Sequence, residues 1–232
     1  MTAFAIESLR ESRDSLADAG ALAARAEQDG YLFFRGLLPV EAVAAAGERV
    51  RAACAERGFT APGAKPVGYR DPAWVELQAE LLPSPELAAL ADHAAIKSVL
   101  TAVMSSPPER AGAEIVRVTF SSAPELTTRP HQDSFYLRGS PDLWIAWVPL
   151  VDCPLDRGPL AVAPGSHRGG LRAHIGLELD TLCADVSDSD RWAASPLARG
   201  DVLMFSALTL HRALDNVSGE LRLSVDFRYS PR

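Results

Sequence analysis

Leu221-Arg222-Leu223-Ser224-Val225-Asp226-Phe227-Arg228-Tyr229 is a β-type run in which charged residues sit among branched and aromatic ones. It is the last of six such runs, after Ile115 to Phe120, Ser134 to Leu137, Leu143 to Leu150, Pro159 to Ala163 and Val202 to Phe205. Turn residues (Gly, Pro, Asp, Ser) separate them, with no helical pattern between successive runs, as a sandwich or jelly roll requires and a doubly wound parallel sheet does not. Residues 168 to 198 read as an excursion, with mixed periodicity from Leu171 to Leu182, an acidic stretch from Asp185 to Asp190, and one helical turn before Arg199-Gly200-Asp201.

Upstream the period changes. Ser15 to Gln28 carries Leu16, Ala19, Leu22, Ala23 and Ala26 at helical spacing and stops at Asp29-Gly30, after which Tyr31 to Phe34 reads as a short buried strand. Pro39 opens a helix from Val40 to Arg57, and Ser84-Pro85-Glu86 opens an amphipathic one from Leu87 to Met104, with His93 inside it. Thr60 to Arg70, crowded with Gly and Pro, is a loop suited to act as a lid. The expected fold class is mainly β with flanking α-helices, a double-stranded β-helix or jelly roll. One domain spans 1–232, its 1–110 part helix-rich and its 111–232 part the jelly-roll core.

With 232 residues, 47% hydrophobic and 23% charged, the chain can bury a full core and lacks the signature of disorder. A net charge of −7 excludes a general affinity for nucleic acid or anionic membranes. Cys54, Cys153 and Cys183 are odd in number, widely spaced and without a CxxC pair, which fits a reduced, cytoplasmic setting. No leader pattern is visible, and no segment reaches the roughly 18 uncharged apolar residues of a membrane helix. Nothing in the chain sets an oligomeric state.

Two short stretches carry chemistry: Pro130-His131-Gln132-Asp133 and Leu210-His211-Arg212, with Arg222 eleven residues after His211. Inside a strand, residues i and i+2 share a face, so His131 and Asp133 can grip one metal ion while a distant strand supplies His211. Two imidazoles and one carboxylate form the facial triad of non-haem Fe(II), which leaves positions open for a chelating co-substrate and dioxygen. Arg222, a charge inside an apolar strand, needs a partner, and its guanidinium suits the far carboxylate of 2-oxoglutarate. The bland readings are a chance HxD that satisfies turns, and a cupin-like trio using His167 in place of His211.

These residues lie in a longer pattern. Gln28-Asp29-Gly30-Tyr31-Leu32-Phe33-Phe34-Arg35-Gly36, Trp144 to Leu150, Gly158-Pro159-Leu160, Pro164-Gly165-Ser166-His167 and Gly200-Asp201-Val202 together resemble the phytanoyl-CoA dioxygenase-like family of Fe(II)- and 2-oxoglutarate-dependent oxygenases, over nearly the whole chain. The resemblance implies a double-stranded β-helix fold, with His131, Asp133 and His211 as iron ligands. It further implies Arg222 on the distal carboxylate of 2-oxoglutarate and Trp147 lining that co-substrate. Ser224, on the same strand face as Arg222, is a hydroxyl partner for the same carboxylate.

The expected activity is a dioxygenase that hydroxylates an unactivated carbon of a small-molecule metabolite. Relatives that halogenate carry a small residue in place of the carboxylate, and this chain keeps Asp133. Desaturation, epoxidation and ring closure stay open, as do a non-catalytic binding protein and an enzyme with the same triad but no 2-oxoglutarate. For substrate contacts the candidates are Phe135, Tyr136, Arg138 and Arg117, with Arg129 nearby. A coenzyme A thioester is disfavoured by the lack of a Lys/Arg cluster for its phosphates.

Overall fold

The computed structural model describes residues 6–112, 114–121, 123–137, 142–176 and 183–232. Helices α1 (Ala19–Asp29), α2 (Val40–Glu56), α3 (Pro72–Leu81), α4 (Pro85–Ala91) and α5 (Ala94–Met104) fill the N-terminal part, and α6 (Asp133–Tyr136) is a single turn. The strands are β1 (Ile6–Glu7), β2 (Tyr31–Phe34), β3 (Pro108–Arg110), β4 (Ile115–Thr119), β5 (Trp144–Pro149), β6 (Leu160–Val162), β7 (His174–Ile175), β8 (Cys183–Ala184), β9 (Trp192–Ala193), β10 (Val202–Ser206), β11 (His211–Ala213) and β12 (Arg222–Pro231).

A six-stranded sheet runs β2-β10-β5-β12-β3, with β4 also paired to β12, and a four-stranded sheet runs β1-β9-β6-β11. The two stack without closing into a barrel, as expected of a jelly roll with flanking helices. Alternation along each strand explains the layering. One face of the larger sheet puts Leu32, Phe34, Met204, Val225 and Phe227 into a cluster with Val43, Val50, Leu81 and Leu100 of the helices. Its other face puts Phe33, Ile145, Trp147 and Phe205 against Leu160, Val162 and Ala193 of the smaller sheet. Each such side chain, fully buried, contributes roughly 1.5–3 kcal/mol.

Gly47 lets α2 approach the sheet, since a Cβ there would lie 2.4 Å from the backbone oxygen of Leu150. Gly30 ends α1 in the left-handed region at φ 72°, where the chain turns directly into β2, and a Cβ there would strike the His167 ring.

Several expectations need correction. Ser134 to Leu137 is not a strand: Asp133 to Tyr136 is helical, because the chain turns away from the sheet edge immediately after His131. The run from Leu87 to Met104 is not continuous. It breaks at Asp92-His93, and His93 caps α5 by accepting from the Ala95 N–H at 3.2 Å. By length and composition Pro85–Met104 could cross a membrane, yet both its helices pack Leu87, Leu90, Ile96 and Leu100 into the core. Helix α3, opened by the Asp71 cap and Pro72, is an element the sequence pattern does not predict. Within residues 168–198 the helical turn stands at the start, in the 3-10 turn Ser166–Gly169, and not before Arg199, among the described residues. That stretch instead supplies the β7/β8 hairpin and β9, while residues 177–182 lie outside the described residues.

Candidate metal centre

His131 and His211 are brought together by the backbone. Each donates its N–H to the other's carbonyl, at 2.9 and 3.0 Å, as a directly opposed antiparallel pair. Opposed residues project to one side, and the two rings lie 4.1 Å apart between centroids. Nδ1 of His131 lies 2.8 Å from the Arg129 carbonyl and Nδ1 of His211 lies 3.0 Å from that of Thr209, so these nitrogens donate and each Nε2 keeps its lone pair. Burial, reinforced by the neighbouring His131, pushes the His211 pKa down to about 3 and keeps that ring neutral.

Asp133 completes the group from the first residue of α6. Its Oδ1 is 3.3 Å from Nε2 of His131 and 3.7 Å from Nε2 of His211. Burial works to raise its pKa, but the positive charge of the Arg228 guanidinium outweighs burial and holds the carboxyl well below the usual range. All three residues are buried, and their ligand atoms lie within 4.8 Å of one another. Two imidazole nitrogens and one carboxylate oxygen within 4.8 Å of one another form a donor set that fits Fe(II).

Gln132, between the first two ligands, is a structural pin that sequence reading passed over. Its amide donates to the carbonyls of Gly170 (2.9 Å) and Leu208 (2.6 Å) and accepts from Arg172 N–H (2.8 Å), tying the HxD segment to two loops.

Two cavities meet at this group. A narrow one is lined by His131, His211, Trp147, Phe205, Arg222 and Asp226. Arg222 is 2% exposed; it donates to the Gly158 carbonyl at 3.1 Å and to Thr119 Oγ1 at 2.5 Å, and its guanidinium lies 5.9 Å from the Trp147 ring centre. No carboxylate among the described residues pairs with it, and burial lowers its pKa. Its Nε, the hydroxyl of Ser224 and Oδ1 of Asp226 are buried without a partner. Buried polar atoms rarely stay unpaired, so three along one strand face mark a place built for a polar guest.

The larger cavity, about 470 Å³, is lined by His131, Asp133 and Arg228 and shares His131 and Arg117 with the narrow one. Val67, Trp74, Ile115, Phe120 and Leu126 give it apolar walls, and the loop predicted as a lid contributes Gly68, Tyr69 and Arg70.

The remaining candidates fall on different sides of this boundary. Tyr136 and Arg117 line the larger cavity, as does Arg129, which is exposed at its rim. Arg117 is neutralised by Asp226 at 2.8 Å and donates to the Tyr69 hydroxyl. Phe135 does not line it; the ring stacks on His174 at 4.1 Å and packs there because α6 turns it away. Arg138 lies outside the described residues. His167 stands outside this group, its Nε2 3.1 Å from the Glu27 carbonyl beside the end of α1. Asp226 and Arg228 were missed, although period-two alternation places both on the face of Arg222 and Ser224.

Comparison with known proteins agrees with this geometry. Residues 26–224 match the family model described as phytanoyl-CoA dioxygenase. A 1-deoxypentalenic acid 11-beta-hydroxylase of Streptomyces arenae is 28% identical over 230 residues, covering 88% of this chain and 78% of that enzyme. The Streptomyces exfoliatus enzyme of the same name is 29% identical over 232 residues, with the same coverage. Among solved structures, the epimerase SnoN in complex with Fe3+, alpha ketoglutarate and nogalamycin RO superposes with TM-score 0.73 at 26% identity, covering 93% of this chain and 84% of that one. A jelly roll whose two inner faces bring a His-Asp-His group beside a buried arginine, matched over most of its length by one family model, belongs to the phytanoyl-CoA dioxygenase family of Fe(II)- and 2-oxoglutarate-dependent dioxygenases.

Proposed function

We propose that this chain hydroxylates an unactivated carbon of a compact, largely apolar metabolite in a biosynthetic pathway. The observation that carries the reading is the pair of cavities meeting at His131, one polar and narrow, the other apolar and of about 470 Å³. That larger volume suits a small molecule.

Under this reading His131, Asp133 and His211 hold the iron. With 2-oxoglutarate it supplies the oxidising power, dioxygen uptake being coupled to decarboxylation of the co-substrate to succinate. Arg222 takes the distal carboxylate and supplies a charge that lacks a carboxylate partner among the described residues; the Ser224 hydroxyl donates to the same group, and Trp147 walls the space. Tyr136, Arg117 and the Tyr69 loop border the substrate and exclude water from it. The similarity to two enzymes named 1-deoxypentalenic acid 11-beta-hydroxylase supports a small-molecule substrate over a coenzyme A thioester. Three free cysteines fit a cytoplasmic enzyme.

The test is succinate release from 2-oxoglutarate across a panel of compact, largely apolar small-molecule metabolites, with oxygenated product read by mass. His131→Ala and Asp133→Ala should each abolish substrate-linked succinate. Turnover that persists in metal-free buffer sinks the assignment.

A further inference from the structure

Asp133 gives its two oxygens to different partners. Oδ1 faces the histidines, whereas Oδ2 lies 3.0 Å from both Nε and Nη2 of Arg228. Both side chains are 4% exposed. Arg228 sits on β12 opposite Ile145, on the inner face of the sheet, with Nη2 4.0 Å from Oδ2 of Asp226. Asp226 in turn receives Nε and Nη2 of Arg117, each at 2.8 Å. Asp133, Arg228 and Asp226, all buried, and the half-buried Arg117 thus form a row of alternating sign, which compensates charges that would be costly alone and stiffens the set.

A carboxylate turns easily about its terminal torsion and can chelate a cation through both oxygens. A centre that must accept a co-substrate through two atoms and still keep a further position open tolerates only one oxygen from its own carboxylate. Arg228 occupies the other.

We propose that Arg228 is a positioning residue for the metal centre: it holds Oδ2 of Asp133, restricts that carboxylate to a single ligating oxygen, and so keeps room for 2-oxoglutarate to chelate. The inference rests on the iron and 2-oxoglutarate reading above. Asp226 and Arg117 act one step further out by holding Arg228.

The experiment titrates the whole protein anaerobically, first with Fe(II) and then with 2-oxoglutarate, following the visible absorption of the chelate and counting bound iron. Wild type should bind one iron and develop the band. Arg228→Met should still bind iron but need at least tenfold more 2-oxoglutarate, with a weakened or shifted band; Arg228→Lys, which keeps the charge but not the fork, should fall between. A merely structural role would lower thermal stability and iron occupancy together without separating iron binding from co-substrate binding. If the Met variant does not fold, the Lys variant decides. Two variants with wild-type affinity and band overturn the proposal. Wild type that binds iron without ever giving the band defeats the underlying reading instead.

Discussion

Replacing Arg222 with Met should make the ligand-free protein more stable while nearly abolishing its response to 2-oxoglutarate. The guanidinium is 2% exposed, has no carboxylate partner among the described residues, and leaves Nε unpaired. Burying such a charge costs several kcal/mol. Its hydrogen bonds to the Gly158 carbonyl and Thr119 Oγ1 return about 1.5–3 kcal/mol each. Those terms nearly cancel, but replacing a buried, incompletely compensated charge by an apolar side chain of similar volume is typically neutral to stabilising by up to about 4 kcal/mol, and methionine fits that volume, so a gain of about 1–2 kcal/mol is expected. At this chain length that raises Tm by about 3–6 °C.

The ligand behaves oppositely. Truncating one partner of a buried charge pair costs about 2–5 kcal/mol, so Kd for 2-oxoglutarate should rise by roughly a hundredfold. In wild type, ligand at about 100 times Kd adds about 2.7 kcal/mol, and most of that disappears in the variant. Thermal unfolding with and without 2-oxoglutarate, using Mn(II) in place of iron, reads both effects. The expected result is a crossing: the variant melts higher without ligand and lower with it. A variant that melts lower without ligand, or that keeps the wild-type ligand shift, refutes the reasoning.

Three further outcomes follow from single contacts. Gln132→Leu removes three side-chain hydrogen bonds from a residue with no exposure, which should cost about 3 kcal/mol in urea unfolding and weaken Mn(II) binding; unchanged values on both counts would show that the pin is dispensable. His211, with a pKa near 3 in the fold, titrates near 6.5 when unfolded. The unfolded chain therefore takes up a proton that the native chain refuses, so stability is fully present above about pH 6.5 and falls as pH drops toward 3. Metal-free protein should lose about 2 kcal/mol between pH 7 and 5 through this group, and His211→Gln should flatten the slope by that amount in denaturant titrations. Gly47→Ala would place a Cβ 2.4 Å from the Leu150 carbonyl, pushing α2 off the sheet at a cost of about 1–3 kcal/mol; a wild-type Tm would contradict the close approach.

Much of the site was legible because its chemistry is written in residue types. His131, Asp133, His211 and Arg222 could be chosen from spacing and from the β-type runs around them, and the structure gathers the first three within 4.8 Å. What went wrong was local. Strand alternation puts Asp133 two residues along the same face as His131, whereas Asp133 starts a helical turn and reaches the histidines from there. Ser134 to Leu137 has strand-like composition, but tertiary packing overrides propensity in a segment this short. Phe135 was lost to the pocket by the same turn.

By itself the chain determined which side chains are available, where its strands and helices broadly run, and that one buried strand near its end carries an arginine. Only the fold decided that His131 faces His211 across about eighty residues of intervening chain, and that Asp133 divides its oxygens between them and Arg228. Periodicity is a property of neighbouring residues and can be read in a short window. Strand register and the partner of a buried charge depend on which distant segments close together, and the free energy that selects them belongs to the packed whole.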